Sequence, residues 1–226
     1  MEWSTGIPIQ RFSFAPAPGP VFDMGPYYPT ALVSLLGPVA FVQASGQIGF
    51  AERLVTTPGS TLLGQRIKVE TLTTVQALLE FQSGAQVTFL ASWDVWRHGV
   101  QPIELHGEKA SLGVPDPNWF GGDVQIARER ADWISIATGD RVFGKPNWPS
   151  DKLLHANYRG LGLADMARGI IDSRPHRANG GVALHVLGIM EGILSAAAEK
   201  RGVAIAPHCA WPEPLSEREA LGLLIN

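Results

Sequence analysis

Between Val75 and Trp93, apolar residues recur at every second position on both sides of a Gln82-Ser83-Gly84 turn. Val75, Ala77, Leu79 and Phe81 share one face before the turn, and Val87, Phe89, Ala91 and Trp93 share it afterwards. A period of two fits a pleated strand and not a helix, so the segment predicts an antiparallel hairpin with one packed face. The opposite face is not fully polar, because Leu78 and Leu90 lie on it. An apolar outer face needs cover, and a homo-oligomer formed through the sheet would supply it.

The rest of the chain reads around this hairpin. Predicted strands cover 39–42, 70–81, 86–93, 103–106, 110–114, 124–128 and 133–137, with a further one at 7–14 where Ile7, Ile9, Phe12 and Phe14 roughly alternate. Ala15-Pro16-Ala17-Pro18-Gly19-Pro20 reads as a stiff connector, since proline fixes φ and removes a donor. A helix is expected from near Pro29, with an irregular turn carrying Asp23 to Tyr28. Leu32, Val33, Leu35 and Leu36 form its stripe, and Gly37-Pro38 stops it. Gly107-Glu108-Lys109 reads as a second hairpin turn, and two helices are expected at 163–172 and 182–200.

Composition narrows the function classes. The net charge of -3 gives no basic footprint for nucleic acid or an anionic membrane. A single cysteine, Cys209, excludes an intramolecular disulfide and a multi-cysteine metal site, and it suits a cytoplasmic protein. No uninterrupted apolar run of spanning length is present, so no membrane partner is expected. Gly144-Lys145-Pro146 lacks the glycines and hydroxyl of a phosphate loop. Gly160-Leu161-Gly162-Leu163-Ala164-Asp165 imitates a dinucleotide turn, but ends on Asp with no clear strand before it. The scattered histidines offer no metal-ligand spacing, so no metal site is assigned.

One short segment offers acid–base chemistry. Asp23-Met24-Gly25-Pro26-Tyr27-Tyr28 sets a carboxylate and a phenol four positions apart, ahead of the first helix. Locally, Asp23 suits a cap or turn, and Tyr27 and Tyr28 suit core aromatics with a satisfied hydroxyl. Farther along, Asp116 and Asn118 occupy a proline-rich turn that Asp and Asn favour anyway. His185 lies mid-helix between Leu184 and Val186, where a hydrogen-bonded structural histidine is the simpler reading. Trp93, Asp94, Trp96, Arg97 and His98 end a strand and fit either a polyol-binding wall or an interface edge. Arg159 and Arg177 are expected to pair with carboxylates.

Taken together, these segments resemble the C-terminal domain of the Gfo/Idh/MocA oxidoreductases. The resemblance runs from Gly19-Pro20-Val21-Phe22-Asp23 through the helix to Gly37-Pro38-Val39, then through Pro102-Ile103-Glu104-Leu105-His106-Gly107 and Ser111 to Asn118. It closes with Arg159-Gly160-Leu161-Gly162-Leu163-Ala164-Asp165, Arg174-Pro175-His176-Arg177 and Ala183-Leu184-His185. It implies one α/β domain of the α+β type over residues 1–226, an open, mainly antiparallel β-sheet with helices on one face and the other face used for oligomerisation. It also implies hydride transfer between NAD or NADP and a sugar or polyol, with Asp23 and Tyr27 at the catalytic positions. Asp116, Asn118, His185 and Trp96 become candidate substrate contacts. The Rossmann domain and its lysine have no counterpart in the sequence, so no cofactor-binding residue is assigned, and NAD or NADP would come through a Rossmann-bearing partner chain.

The chemistry gives that departure weight. A free phenol titrates near pH ~10 and is a poor base at neutral pH without a neighbouring cation. Three functions therefore stay open. One is the substrate-binding half of a sugar or polyol dehydrogenase. Another is a cofactor-free carbohydrate lyase or isomerase using Asp23 and Tyr27. The last is a non-catalytic sugar-binding or scaffolding module.

Overall fold

The structure, a computed structural model, describes residues 19–147, 156–206, 209–211 and 213–224. The strand expected at 7–14 and most of the proline connector lie outside them. In chain order the elements are α1 (Gly19–Met24), α2 (Tyr27–Leu36), β1 (Val39–Gln47), β2 (Glu52–Leu54), β3 (Arg66–Lys68), β4 (Thr74–Phe81) and β5 (Gln86–Ser92). There follow β6 (Ile103–His106), β7 (Ser111–Val114), β8 (Val124–Ala127), β9 (Ile134–Ile136), α3 (Leu161–Ile171), α4 (Gly180–Glu199), β10 (Val203–Ala204) and α5 (Glu217–Gly222). They divide into two compact units, Met1–Trp96 with Gly180–Pro212, and Arg97–Asn179 with Glu213–Asn226.

The first unit is built on an antiparallel sheet ordered β10-β1-β4-β5. The predicted hairpin forms, with Leu79 opposite Val87, Ala77 opposite Phe89 and Val75 opposite Ala91. Its turn closes through the Gly84 N–H to the Phe81 carbonyl at 2.9 Å, with Gly84 at φ +86°. Val75, Ala77, Leu79 and Phe81 are all buried, and α4 packs along β1 with Val182, Val186, Ile189 and Ile193 inside. Burying each such side chain is worth roughly 1.5–3 kcal/mol, so this layer dominates the unit's stability. Leu78 and Leu90 are 54% and 58% exposed on the outer face, as the alternation requires. A shorter antiparallel pair, β2 with β3, joins the same unit.

Two departures concern the start of the chain. Gly19 to Met24 is helical, where a stiff connector and irregular turn were expected. Proline suits the opening of a helix because the first-turn N–H groups have no partner there, so Pro20 does not break α1. The next helix begins at Tyr27, two residues before Pro29. It ends where Gly37-Pro38 predicted, with Gly37 at φ +89° and its N–H on the Val33 carbonyl at 3.0 Å. The freed carbonyls of the last turn find side chains: Trp211 Nε1 donates to the Ser34 carbonyl at 3.1 Å and Ser83 Oγ to that of Leu36 at 2.8 Å. A Cβ on Gly37 would also lie 3.1 Å from the Trp211 ring, a second reason for glycine there.

The helix α4 is long and apolar enough to cross a membrane by length and composition, although His185 and Glu191 interrupt its apolar run. Its apolar character has a use inside the unit, because one side of the helix forms the core against β1.

The second unit holds an antiparallel meander, β6-β7-β8-β9, together with α3 and α5. Among the described residues, the strands expected in one open sheet fall in two separate antiparallel sheets, and the unexpected β2–β3 pair forms a third. The Gly107 turn forms as predicted, its N–H donating to the Ala110 carbonyl at 3.0 Å.

A charged cluster ties α3 to the segment leading into α5. Asp165, 4% exposed, accepts hydrogen bonds from Arg174 Nη2 at 2.9 Å, Arg177 Nη1 at 3.0 Å and the Arg177 N–H at 2.8 Å. Arg177 also reaches Glu219 at 2.9 Å and the carbonyls of Glu213 and Pro214 at 3.0 and 3.3 Å. Glu219 completes a capping box with Ser216 at the start of α5. Burial alone would raise the Asp165 carboxyl, but the hydrogen bonds and positive charges of Arg177 and Arg174 outweigh it and hold the group below its ordinary value. Glu219 is held down to about 2, first by the Ser216 hydroxyl and then by Arg177. Arg177 pairs with carboxylates as expected. Arg159 does not: it donates to the Asn118 carbonyl at 2.9 Å.

Candidate functional site

The joint between α1 and α2 carries the carboxylate and the phenol. Asp23 lies in the last turn of α1 and Tyr27 opens α2, with Gly25-Pro26 between them. Gly25 is buried, and a Cβ there would fall 1.8 Å from the Val21 carbonyl oxygen and 2.8 Å from Met190 Sδ. Only a residue without a side chain lets the backbone press against α1 and α4 at this point. On either side of that contact Asp23 is exposed and Tyr27 is 37% exposed.

Neither polar group is committed to the fold. Among the described residues, the Asp23 carboxylate and the Tyr27 hydroxyl have no hydrogen-bond or ion-pair partner. Partial burial removes water from the Asp23 carboxyl and raises it above its ordinary value. A carboxylate shifted this way holds its proton more readily and accepts hydrogen bonds from a hydroxyl that replaces the lost water. Replacing Gly25 by Ala is expected to destabilise the first unit by about 1–3 kcal/mol, because the joint must open to admit the methyl group. Denaturant unfolding checks this; a Gly25→Ala variant as stable as the parent would show that the contact at Gly25 is not tight.

The other sequence candidates have different surroundings. His185 is fully buried. Its Nε2 accepts the Val39 N–H at 3.0 Å, and its Nδ1 lies 3.2 Å from the Ala206 carbonyl, to which it donates. The ring therefore fastens α4 to the start of β1 and to the segment after β10, and both nitrogens are used by backbone. That geometry favours the structural reading of His185 over substrate contact. Asp116 accepts the Asn118 N–H at 2.9 Å, and its own carbonyl takes the Trp119 N–H at 3.0 Å, the local turn that Asp and Asn favour. Both belong to the second unit, whereas Asp23, Tyr27, His185 and Trp96 belong to the first.

Beyond the end of β5, Trp96 is fully exposed. The nearby Asp94 is a fold residue: it pairs with Arg53 and accepts the Thr73 and Thr74 hydroxyls at 2.7 Å each. Arg53 also lies over the Phe50 ring at 4.6 Å. No spacing in the sequence announced this cluster, because Arg53 and Asp94 are brought together by the short β2–β3 pair.

Comparison with known proteins bears on the fold. Residues 3–113 match the family described as the GFO/IDH/MocA C-terminal domain. No curated protein matches the sequence. Among solved structures, levoglucosan dehydrogenase in complex with NADH and L-sorbose aligns with a TM-score of 0.65 at 18% identity, covering 88% of this chain and 54% of that one. An NAD binding oxidoreductase from Klebsiella pneumoniae aligns at 0.64 and 20% identity, covering 91% and 55%. An oxidoreductase domain protein from Kribbella flavida aligns at 0.63 and 19%, covering 87% and 54%. The chain spans about half the length of the solved structures it matches. At such identities the likeness is one of fold.

Proposed function

The chain carries a GFO/IDH/MocA C-terminal domain over residues 3–113, and from that premise we propose that it supplies the substrate-binding half of a sugar or polyol dehydrogenase. The observation that carries this reading is the Asp23–Tyr27 pair, exposed on a joint braced by Gly25 and uncommitted to the fold. In this role Tyr27 takes the proton of the reacting hydroxyl, and the Asp23 carboxylate accepts a hydrogen bond from the sugar to orient it.

Among the described residues, none forms the kind of unit that holds a dinucleotide. Among the described residues every strand pairing is antiparallel, and the Gly160-Leu161-Gly162 segment enters α3 from a turn. A dinucleotide site needs a strand, a glycine turn and a helix in a parallel unit. The nicotinamide, which accepts hydride when bound, is therefore assigned to a Rossmann-bearing partner domain. A cation must also approach the Tyr27 phenol for it to act near neutral pH, and that too is assigned to the partner.

The test is reconstitution. The chain is mixed with a Rossmann domain of the same family, NAD or NADP and a panel of sugars and polyols, and absorbance of the reduced cofactor is followed. Turnover is expected from the mixture and not from either component. A mixture that forms a complex yet oxidises none of the panel would overturn the reading.

The outer sheet face completes the proposal. Leu78 and Leu90 stand more than half exposed among Gln43, Gln76 and Thr88, and pairing of two copies across this face would cover them. Light scattering is expected to give a dimer or larger; a monomer at tens of micromolar (roughly where standard interfaces are saturated) removes this part.

A further inference from the structure

The meander of the second unit ends on an open edge. β9 is its outermost strand, and among the described residues nothing pairs with the far side of β9. A free edge offers backbone donors and acceptors to another strand, and sheets commonly blunt it with charge or proline. The opposite edge is blunted in this way: Pro102 precedes β6, and β6 carries Glu104 and His106. The β9 edge is not. Trp133-Ile134-Ser135-Ile136-Ala137-Thr138-Gly139 holds neither a charge nor a proline. Trp133, Ile134 and Ile136 are 43%, 63% and 45% exposed.

The apolar face behind this edge also runs out into water. Leu105, Leu112, Ile126 and Ile134 stand side by side across the four strands. Ile103 faces Val114, and Val124 faces Ile136. Residues two apart in a strand share a face, so all eight lie on the same one. Along it Ile103 is buried, the residues of β7 and β8 are half-buried, and those of β9 are exposed. A further strand beside β9 would carry the apolar rows on.

Charge selects a second copy of β9 as that strand. Antiparallel pairing of β9 with itself about Ser135 sets Ile134 opposite Ile136 of the other copy. The same register sets Arg130 opposite Asp140 and Glu129 opposite Arg141. A shift of one residue sets like charges opposite each other, Arg130 against Arg141 one way and Glu129 against Asp140 the other. All four side chains are exposed. Among the described residues only Asp140 and Arg141 have a contact, with each other at 3.8 Å.

We propose that the second unit pairs with a second copy of this chain through β9, joining two meanders into one antiparallel sheet across the pair. This contact is separate from the Leu78 and Leu90 face, which belongs to the first unit, and it stands whether or not the chain serves a dehydrogenase. β9 spans three residues, so the contact is small and its Kd is expected in the micromolar range.

The experiment is sedimentation equilibrium of the full chain and its variants up to about 100 µM, well above such a Kd. Leu78→Lys with Leu90→Lys removes the first-unit face, and this variant is expected to remain a dimer. Adding Ile134→Lys and Ile136→Lys should make it a monomer. All four substituted residues are exposed, so circular dichroism should show the fold kept. In the Leu78→Lys, Leu90→Lys background, Arg130→Glu should weaken the dimer several-fold, and Asp140→Arg added to it should restore the affinity. A monomeric Leu78→Lys, Leu90→Lys variant, a dimer that survives the lysines in β9, or a charge reversal that Asp140→Arg does not rescue would each overturn the proposal.

Discussion

Replacing Tyr27 by Phe is expected to lower turnover of the reconstituted dehydrogenase by about 10²–10⁴-fold, the usual contribution of a positioned acid–base group. The substitution removes one hydroxyl and no bulk. That hydroxyl has no hydrogen-bond partner among the described residues, so its loss costs the fold almost nothing. The melting temperature should stay where it is, and KM should move far less than kcat, because the lost interaction belongs to the proton transfer. Steady-state kinetics beside a thermal melt separate these effects. Undiminished turnover with Phe in place of Tyr27 would remove that residue from the chemistry.

The second large effect is on stability. Asp165→Ala should destabilise the second unit by about 2–4 kcal/mol, since it strands two arginine side chains that are only 29% and 24% exposed. It also frees Arg177, the residue that joins α3 to Glu219 and to the Glu213 and Pro214 carbonyls. The sign with pH follows from the depressed carboxyls. Asp165 lies below its ordinary value of 3.8 in the folded chain. Its contribution is therefore fully present above that value and is lost as pH falls through the lower, folded one. Glu219, held at about 2, acts in the same direction. Urea titrations between neutral pH and about pH 2 should show a steep acid loss for the parent and a shallower one for Asp165→Ala. Equal stability and equal acid slopes would show that the cluster is a surface arrangement of no consequence.

What the sequence made legible follows from period and spacing. The hairpin at β4 and β5 was readable because one face is packed, and a strict alternation is then the only pattern that folds. The helix stop at Gly37-Pro38 was readable because a left-handed glycine followed by proline ends a helix for local reasons. The short elements were not. β2 and β3 span three residues each, mostly exposed, and carry no alternation to detect. β10 is a two-residue strand completed by β1. The strand expected from residue 70 begins only at Thr74, because Thr73 is drawn to the Gln47 carbonyl and to Asp94.

The candidate site divides in the same way. Asp23 and Tyr27 were found because the two groups lie four residues apart in one segment. What holds their joint is not local: Gly25 presses against Met190, which is far along the chain. His185 was readable as a core histidine from its apolar neighbours, though the backbone partners on both nitrogens were not. Arg159 was expected to find a carboxylate and instead holds the Asn118 turn, because the fold brings that carbonyl to its guanidinium.

The most direct test of the proposed function follows a hydrogen atom. The chain, a Rossmann-bearing partner and oxidised cofactor are supplied with a sugar deuterated at the carbon bearing the reacting hydroxyl. Mass spectrometry then reads the cofactor and the solvent. If Tyr27 removes only the hydroxyl proton, the deuterium should appear on the reduced nicotinamide, with none lost to water, and the chain alone should leave the sugar unchanged. Deuterium released to water by the chain alone, with no reduced cofactor formed, would instead mark a lyase or isomerase and contradict the dehydrogenase role.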